Sequence, residues 1–265
     1  MINKFFKKLK NYLYKNIFNY LKYSFEEFIP NSKSNLQTTN NLIRINIKNL
    51  TKNLLQISEY FSPVEISNLD SLSTEQKVEE ELKNLFDKFN SDKSSHGYHK
   101  LYASIFNEIS ESPTILEIGI GSIDTSIPSN MGKNGTPGAS LRAFSEMYPN
   151  SDIYGADIDI EIIKDFERVK TFYLDQNNLK TFDNPVIQNK KFDIIIDDGL
   201  HMQSANLNSV FFAIQRLKTP GVLVVEDVSF NALDTWKILT NILEKPYSLQ
   251  IVKCLNNFAV VLRNF

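Results

Sequence analysis

Two short acidic clusters carry the residue types and spacing from which chemistry can be built: Asp197-Asp198-Gly199-Leu200-His201 and Glu226-Asp227. Each follows an unbroken or nearly unbroken apolar run, Phe192 to Ile196 and Gly221 to Val225, rich in β-branched residues as expected of a strand buried on both faces. Between them, Leu207, Val210, Phe211, Ile214 and Leu217 recur at helical spacing, and Thr219-Pro220-Gly221 is a stop signal. A strand, helix, strand crossover makes the two strands parallel neighbours whose carboxyl ends open on one edge of the sheet. Ligands of open α/β sheets bind there, so Asp198, His201, Glu226 and Asp227 are expected to converge. Three carboxylates in one place repel unless a cation sits among them. Oxygen ligands with no cysteine nearby favour a hard ion, Mg²⁺ first and Mn²⁺ or Ca²⁺ next. His201, three residues past Asp198, is placed to act as a base on a hydroxyl held at the metal. Strand-end acids also serve as helix caps and solvated loop residues, and that alternative stands beside the metal reading.

The elements before this pair supply a second pattern. Thr114 to Gly121 reads as a buried strand entering a glycine turn at Gly119 and Gly121, where a backbone without side chains can approach a nucleotide. The third glycine of the dinucleotide fingerprint is missing, since position 124 is Asp, and Glu117 inside the strand is unlike NAD-binding sequences. A nicotinamide-dependent oxidoreductase is therefore disfavoured. Ser122 to Pro137 is a long loop of the kind that usually carries function. The next strand ends at Asp157, a carboxylate suited to ribose hydroxyls, and the third is followed by Asp175-Gln176, suited to an adenine amino group. Together these tips describe an adenosine site.

The bulk properties bound the answer. The chain has 265 residues, a net charge of -2 and a single cysteine, Cys254. No global field points to nucleic acid, and no intramolecular disulfide can form, which fits a reducing cytoplasm. No apolar stretch reaches the roughly 18 residues of a membrane span, and the first residues lack a signal-peptide core, so an intracellular protein is expected. Met1 to Tyr23 carries six lysines and no acid, interleaved with Phe, Tyr, Leu and Ile at helical spacing. Packing on its own domain or a sister subunit is the favoured reading, which makes a homo-oligomer expected. A basic helix lying on an anionic membrane is the competing one.

Phe28 to Asn41 reads as a loop or linker, Asn41 to Tyr60 as a helix or a strand followed by a helix, and Ser62 to Ser73 as a loop. Ser73 and Gln76 have the form of a capping box before a helix faced by Val78, Leu82, Leu85, Phe86 and Phe89. Ser91 to His99 is a dense polar stretch that, taken alone, reads as a helix cap. At the carboxyl end, Leu249 to Leu255 and Phe258 to Leu262 are expected to form a hairpin about Asn256-Asn257. The fold expected is α/β: a mostly parallel Rossmann-like sheet with an antiparallel C-terminal hairpin over residues 86–265, preceded by a mainly helical extension over 1–85.

From about Phe86 onward the chain resembles the class I S-adenosylmethionine-dependent methyltransferases, and within them the metal-dependent macrolide sugar O-methyltransferases of the mycinamicin and tylosin type. The resemblance rests on Ser91-Asp92-Lys93-Ser94-Ser95-His96-Gly97-Tyr98, Leu116-Glu117-Ile118-Gly119, Gly138 to Arg142, Ile153 to Asp157, Asp175-Gln176, Asp193 to Gly199 and Glu226-Asp227. It implies S-adenosyl-L-methionine as cofactor, held by Lys93, Tyr98, Glu117, Gly119, Gly121, Asp157, Asp175, Gln176 and Asp197, with Lys93 to Tyr98 folded over its methionine end. It implies Asp198, Glu226 and Asp227 as ligands of Mg²⁺, His201 as general base, and the hydroxyl of a sugar or small glycan precursor as acceptor. A phosphate-type oxygen on a glycan precursor, or a catalytically silent scaffold of the same fold, is the alternative. Leu200 stands where these proteins usually carry Ser.

Overall fold

The computed structural model describes residues 36–61 and 63–265. The chain divides into two compact units, residues 1–63 and 64–265. In the first, Leu36–Phe61 forms one helix, α1. Helix therefore begins within the stretch expected to be a linker, because no Gly or Pro interrupts 36–61 and the apolar spacing continues through it. The basic amphipathic stretch Met1 to Tyr23 lies outside the described residues. Among the described residues no helix is long and apolar enough to cross a membrane.

The second unit is built on strands β1 (Ile66–Asn68), β2 (Ile115–Ile118), β3 (Ile153–Asp157), β4 (Val169–Tyr173), β5 (Phe192–Asp197), β6 (Leu217–Val228), β7 (Tyr247–Lys253) and β8 (Phe258–Asn264). Its helices are α2 (Gln76–Lys88), α3 (Tyr98–Phe106), α4 (Ala139–Met147), α5 (Gln203–Arg216) and α6 (Leu233–Ile242). The strands form one eight-stranded sheet in the order β1-β7-β8-β6-β5-β2-β3-β4. Every neighbouring pair is parallel except the two that include β8. This is the Rossmann-like, mostly parallel sheet with a terminal hairpin read from the sequence. The hairpin connection is closed by the Cys254 N–H, which donates to the Asn257 carbonyl at 2.9 Å.

Side chains alternate across the sheet. Ile194, Ile196, Val222 and Val224 join Phe86, Tyr102 and Phe144 in one core, under α2, α3 and α4. Ile195, Leu223 and Val225 join Phe212 and Trp236 in the other, under α5 and α6. Both faces are thus covered, which is why β5 and β6 read as continuous apolar runs.

Three local readings change. The segment expected to be a loop at 62–73 contains β1, which extends the sheet by pairing Ile66 with Ile251. β1 and α2 consequently belong to the sheet unit, whose boundary falls at Val64. The Ser73-Gln76 capping box does not form: the N-cap is Glu75, without a side-chain cap bond, and Thr74 Oγ1 instead donates to Glu79 Oε2 at 3.1 Å.

Candidate active site

The sheet register decides which side chains meet. Ile118 of β2 lies opposite Asp197 of β5, which lies opposite Val225 of β6. Gly119, Asp198 and Glu226 are the next residues on three adjacent strands, about 4.8 Å apart. Pairing of β6 with β8 breaks off after Val225 and resumes at Val228. Glu226 and Asp227 sit in that interruption, where an irregular ladder re-aims side chains. Asp227 and His201 both adopt left-handed backbone, with φ of +53° and +54°, a conformation uncommon for non-glycine residues and concentrated at functional sites.

A lysine occupies the floor of the cluster. Lys93 Nζ lies 2.6 Å from Asp198 Oδ2, 2.7 Å from Glu226 Oε2 and 3.2 Å from Glu117 Oε1. Burial opposes its charge, but Asp198, Glu226 and Glu117 hold the ammonium well above the usual lysine value. Burial pushes the three carboxyls up while Lys93 pulls them down. The other oxygens are also engaged: the Tyr102 hydroxyl donates to Glu226 Oε1, and Ser140 Oγ donates to Glu117 Oε2 at 2.5 Å. Asp227 Oδ1 accepts from the Tyr98 hydroxyl at 2.8 Å and from Asn257 Nδ2 at 3.2 Å. Burial acts against the Asp227 charge, yet these bonds and the nearby His201 and His96 hold its carboxyl below the ordinary value.

What remains uncommitted points one way. Asp198 Oδ1 is 3.9 Å and Asp227 Oδ2 4.0 Å from His201 Nε2. Asp198, His201 and Asp227 each offer a ligand atom, all within 4.8 Å of one another. Two carboxylate oxygens facing one gap fit a hard divalent cation such as Mg²⁺ or Mn²⁺, with the imidazole beside it as a neighbouring base. The buried Glu226 borders the same cavity with its charge shared by Lys93 and Tyr102. Of the set read from the sequence, the structure therefore gathers Asp198, Asp227 and His201 about the gap and places Glu226 behind them.

Two cavities meet here. One, of about 300 Å³, is lined by Gly119, Gly121, Asp157, Asp175, Gln176 and Leu200, among others. The other, of about 260 Å³, is lined by Lys93, His96, Asp198, His201, Glu226 and Asp227, among others. Gly119, Gly121, Ser129 and Asp198 border both. Gly119 has φ +88°, and a Cβ there would overlap the backbone carbonyl of Asp198.

The expected cofactor residues divide accordingly. Gly119, Gly121, Asp157, Asp175 and Gln176 line the first cavity and Lys93 the second, whereas Tyr98, Glu117 and Asp197 line neither. Asp157 is turned to the glycine turn itself, accepting from the N–H groups of Ile120 at 2.9 Å and Gly121 at 3.3 Å. Gln176 donates to Asp197 Oδ1 at 2.7 Å and accepts from the Leu200 N–H at 2.7 Å, so its amide braces the loop after β5. Asp197 is fully buried and also accepts from Asn206 Nδ2 at 3.0 Å.

Some participants escaped the sequence reading. Tyr102 sits at an apolar helix position where an aromatic residue is ordinarily core, and nothing local marks its hydroxyl as a partner of Glu226. Ser129 and Met131 lie in the long 122–137 loop, whose length was the available signal. Met131 packs against Gly121 and Gly135, and Ser129 Oγ donates to the Leu200 carbonyl at 3.1 Å.

Residues 134–254 match the model of a family described as a methyltransferase domain. Among curated proteins, mycinamicin VI 2''-O-methyltransferase of Micromonospora griseorubida is 35% identical over 92 residues, covering 34% of this chain and 23% of that protein. Demethylmacrocin O-methyltransferase of Streptomyces fradiae is 29% identical over 136 residues, covering 51% of this chain and 32% of that protein. A solved structure, the MycE methyltransferase from the mycinamycin biosynthetic pathway in complex with Mg, SAH and mycinamycin VI, is 27% identical. It covers 56% of this chain and 37% of its own, with a TM-score of 0.48. The aligned part of this chain spans 23% and 32% of the length of the two curated relatives. The resemblance to methyltransferases, and to macrolide sugar O-methyltransferases among them, thus holds in comparison with known proteins.

Proposed function

We propose that this methyltransferase-like chain is an S-adenosyl-L-methionine- and Mg²⁺-dependent O-methyltransferase whose acceptor is a hydroxyl of a sugar or glycan precursor. The observation that carries the reading is the meeting of the two cavities at Gly119, Gly121 and Asp198. One is a glycine-turn cavity with acids at its far side, suited to an adenosine. The other is a polar cavity with carboxylates and two imidazoles, suited to an oxygen-rich acceptor. The curated relatives it resembles are named as O-methyltransferases, one of them as a mycinamicin VI 2''-O-methyltransferase.

When bound, the sulfonium supplies the methyl group and the divalent cation makes a neighbouring hydroxyl easier to deprotonate. The protein's own contribution is alignment and proton removal. Gly119 and Gly121 let the backbone come close to the cofactor, while Asp175 lines the same cavity. Asp198 and Asp227 would hold the cation, and Glu226 stands behind them, paired with Lys93 and Tyr102. His201 takes the acceptor proton at Nε2, the nitrogen that faces both aspartates. Ser129 and Met131 of the 122–137 loop border the polar cavity.

The test is transfer of label from methyl-labelled S-adenosylmethionine to fractionated cell extracts in the presence of Mg²⁺. Label in carbohydrate as an alkali-stable ether is expected. Label confined to nucleic acid or protein would reject the reading.

A further inference from the structure

The side chain of Lys93 is only 3% exposed, and its ammonium group is surrounded by carboxylates from three neighbouring strands, Glu117 in β2, Asp198 just after β5 and Glu226 in β6. An ammonium carries three donors; Asp198 and Glu226 accept hydrogen bonds from it, and Glu117 Oε1 stands 3.2 Å away as an ion-pair partner without a hydrogen bond. Each of these carboxylates has one oxygen on Lys93 and its other directed elsewhere: Glu117 to Ser140, Glu226 to Tyr102, Asp198 toward His201. Asp198 is shared between two lobes. The inner lobe is Glu117, Asp198 and Glu226 and is filled by Lys93; the outer lobe is the carboxylate pair Asp198 and Asp227, faced by His201.

Carboxylates bridged in this manner are what a two-ion centre is made of, with a shared acid between cations roughly 3.5–4 Å apart. The protein supplies one of the two positive charges from its own chain. A water-filled or unpaired inner lobe would leave buried carboxylates without compensation, which buried sites do not tolerate.

We propose that Lys93 is a built-in cation that restricts the centre to a single divalent ion, a positioning residue acting through Asp198 and Glu226. Removal of its side chain converts the inner lobe into a second divalent site. This rests on the outer lobe being a cation site, but it is read as a difference between two proteins, so the two ideas fail separately.

The experiment is Mn²⁺ titration of the full chain after chelator dialysis, with free Mn²⁺ counted by electron paramagnetic resonance. The wild type is expected to bind one ion per chain and Lys93→Ala two, the second carrying the closely spaced hyperfine pattern of a coupled pair. Lys93→Arg is expected to return the count to one, and Lys93→Ala with Glu226→Gln to lose the added ion. A wild type that binds none beside a Lys93→Ala protein that binds one supports the role of Lys93 and rejects the outer site. Equal counts in wild type and Lys93→Ala overturn the proposal. If Lys93→Ala folds only when Mn²⁺ is supplied, the ion has replaced the ammonium, as proposed. If it folds in neither medium, Lys93→Gln is titrated instead, and a count equal to wild type again overturns the proposal.

Discussion

His201 Nε2 stands 4.0 Å from Asp227 Oδ2, beyond hydrogen-bond reach and at the separation that one atom contacting both would span. Both residues hold left-handed backbone, and His201 lies on the connection after β5 while Asp227 lies near the end of β6, so the facing is made by the sheet and not by local sequence. The gap opens on the polar cavity. A base facing a cation ligand across such a gap is suited to a hydroxyl that needs to lose a proton. His201→Ala should lower methyl transfer by about 10²- to 10⁴-fold, the usual worth of a positioned base. S-adenosylhomocysteine affinity, followed by calorimetry, should stay within about twofold. Full turnover in this variant would remove His201 from the mechanism.

Gly119 tests the cofactor cavity where it borders Asp198. Its φ of +88° and the overlap of any Cβ with the Asp198 carbonyl mean that Gly119→Ala must shift backbone on two strands. Gly132, with φ +73° and nothing near a Cβ, bears only the conformational cost. Backbone strain of about 1–3 kcal/mol corresponds to roughly five- to 150-fold in a binding constant. Gly119→Ala should therefore weaken S-adenosylhomocysteine binding by at least about tenfold, and Gly132→Ala by much less. Calorimetric titration of both variants makes the comparison.

Tyr102 is fully buried and its hydroxyl donates to Glu226, itself buried. Tyr102→Phe leaves a buried carboxylate oxygen short of a donor, at a cost of about 1–3 kcal/mol. Urea denaturation should show that loss as a lower midpoint with an unchanged slope. An unaltered midpoint would mean that Glu226 finds another partner.

Acid sensitivity should arise partly at His99. Burial holds its imidazole below the ordinary value, with Glu79 opposing and Lys100 adding to the effect. The folded protein therefore disfavours protonation. The stability His99 contributes is present above the unfolded value, near 6.5, and is lost as pH falls through the lowered folded value. The unfolding free energy of wild type relative to His99→Gln should decline between about pH 7.5 and about pH 5.5, the range around that unfolded value. A pH-independent difference would contradict this.

The parts of the site that were legible from sequence are those that announce themselves locally. Apolar runs ending in Asp197-Asp198 and Glu226-Asp227 mark strand tips, and the intervening helical spacing forces both tips to one edge. The glycine turn after β2 is legible for the same reason. Lys93 is different: its partners lie 105 and 133 residues away, and no local pattern connects them. Gln176 shows a second limit, because its place after β4 was readable but its amide is committed to Asp197 and the Leu200 N–H. β1 was missed because three residues carry too little alternation to distinguish a strand from a loop.

The most direct test of the central claim is reversible chelation in the labelled-methyl transfer assay. Chelator should abolish transfer by the wild type and excess Mg²⁺ should restore it, with Asp198→Asn and Asp227→Asn inactive in both media. Transfer that proceeds at full rate in chelator, or that survives both substitutions, would contradict metal-assisted methylation at this site.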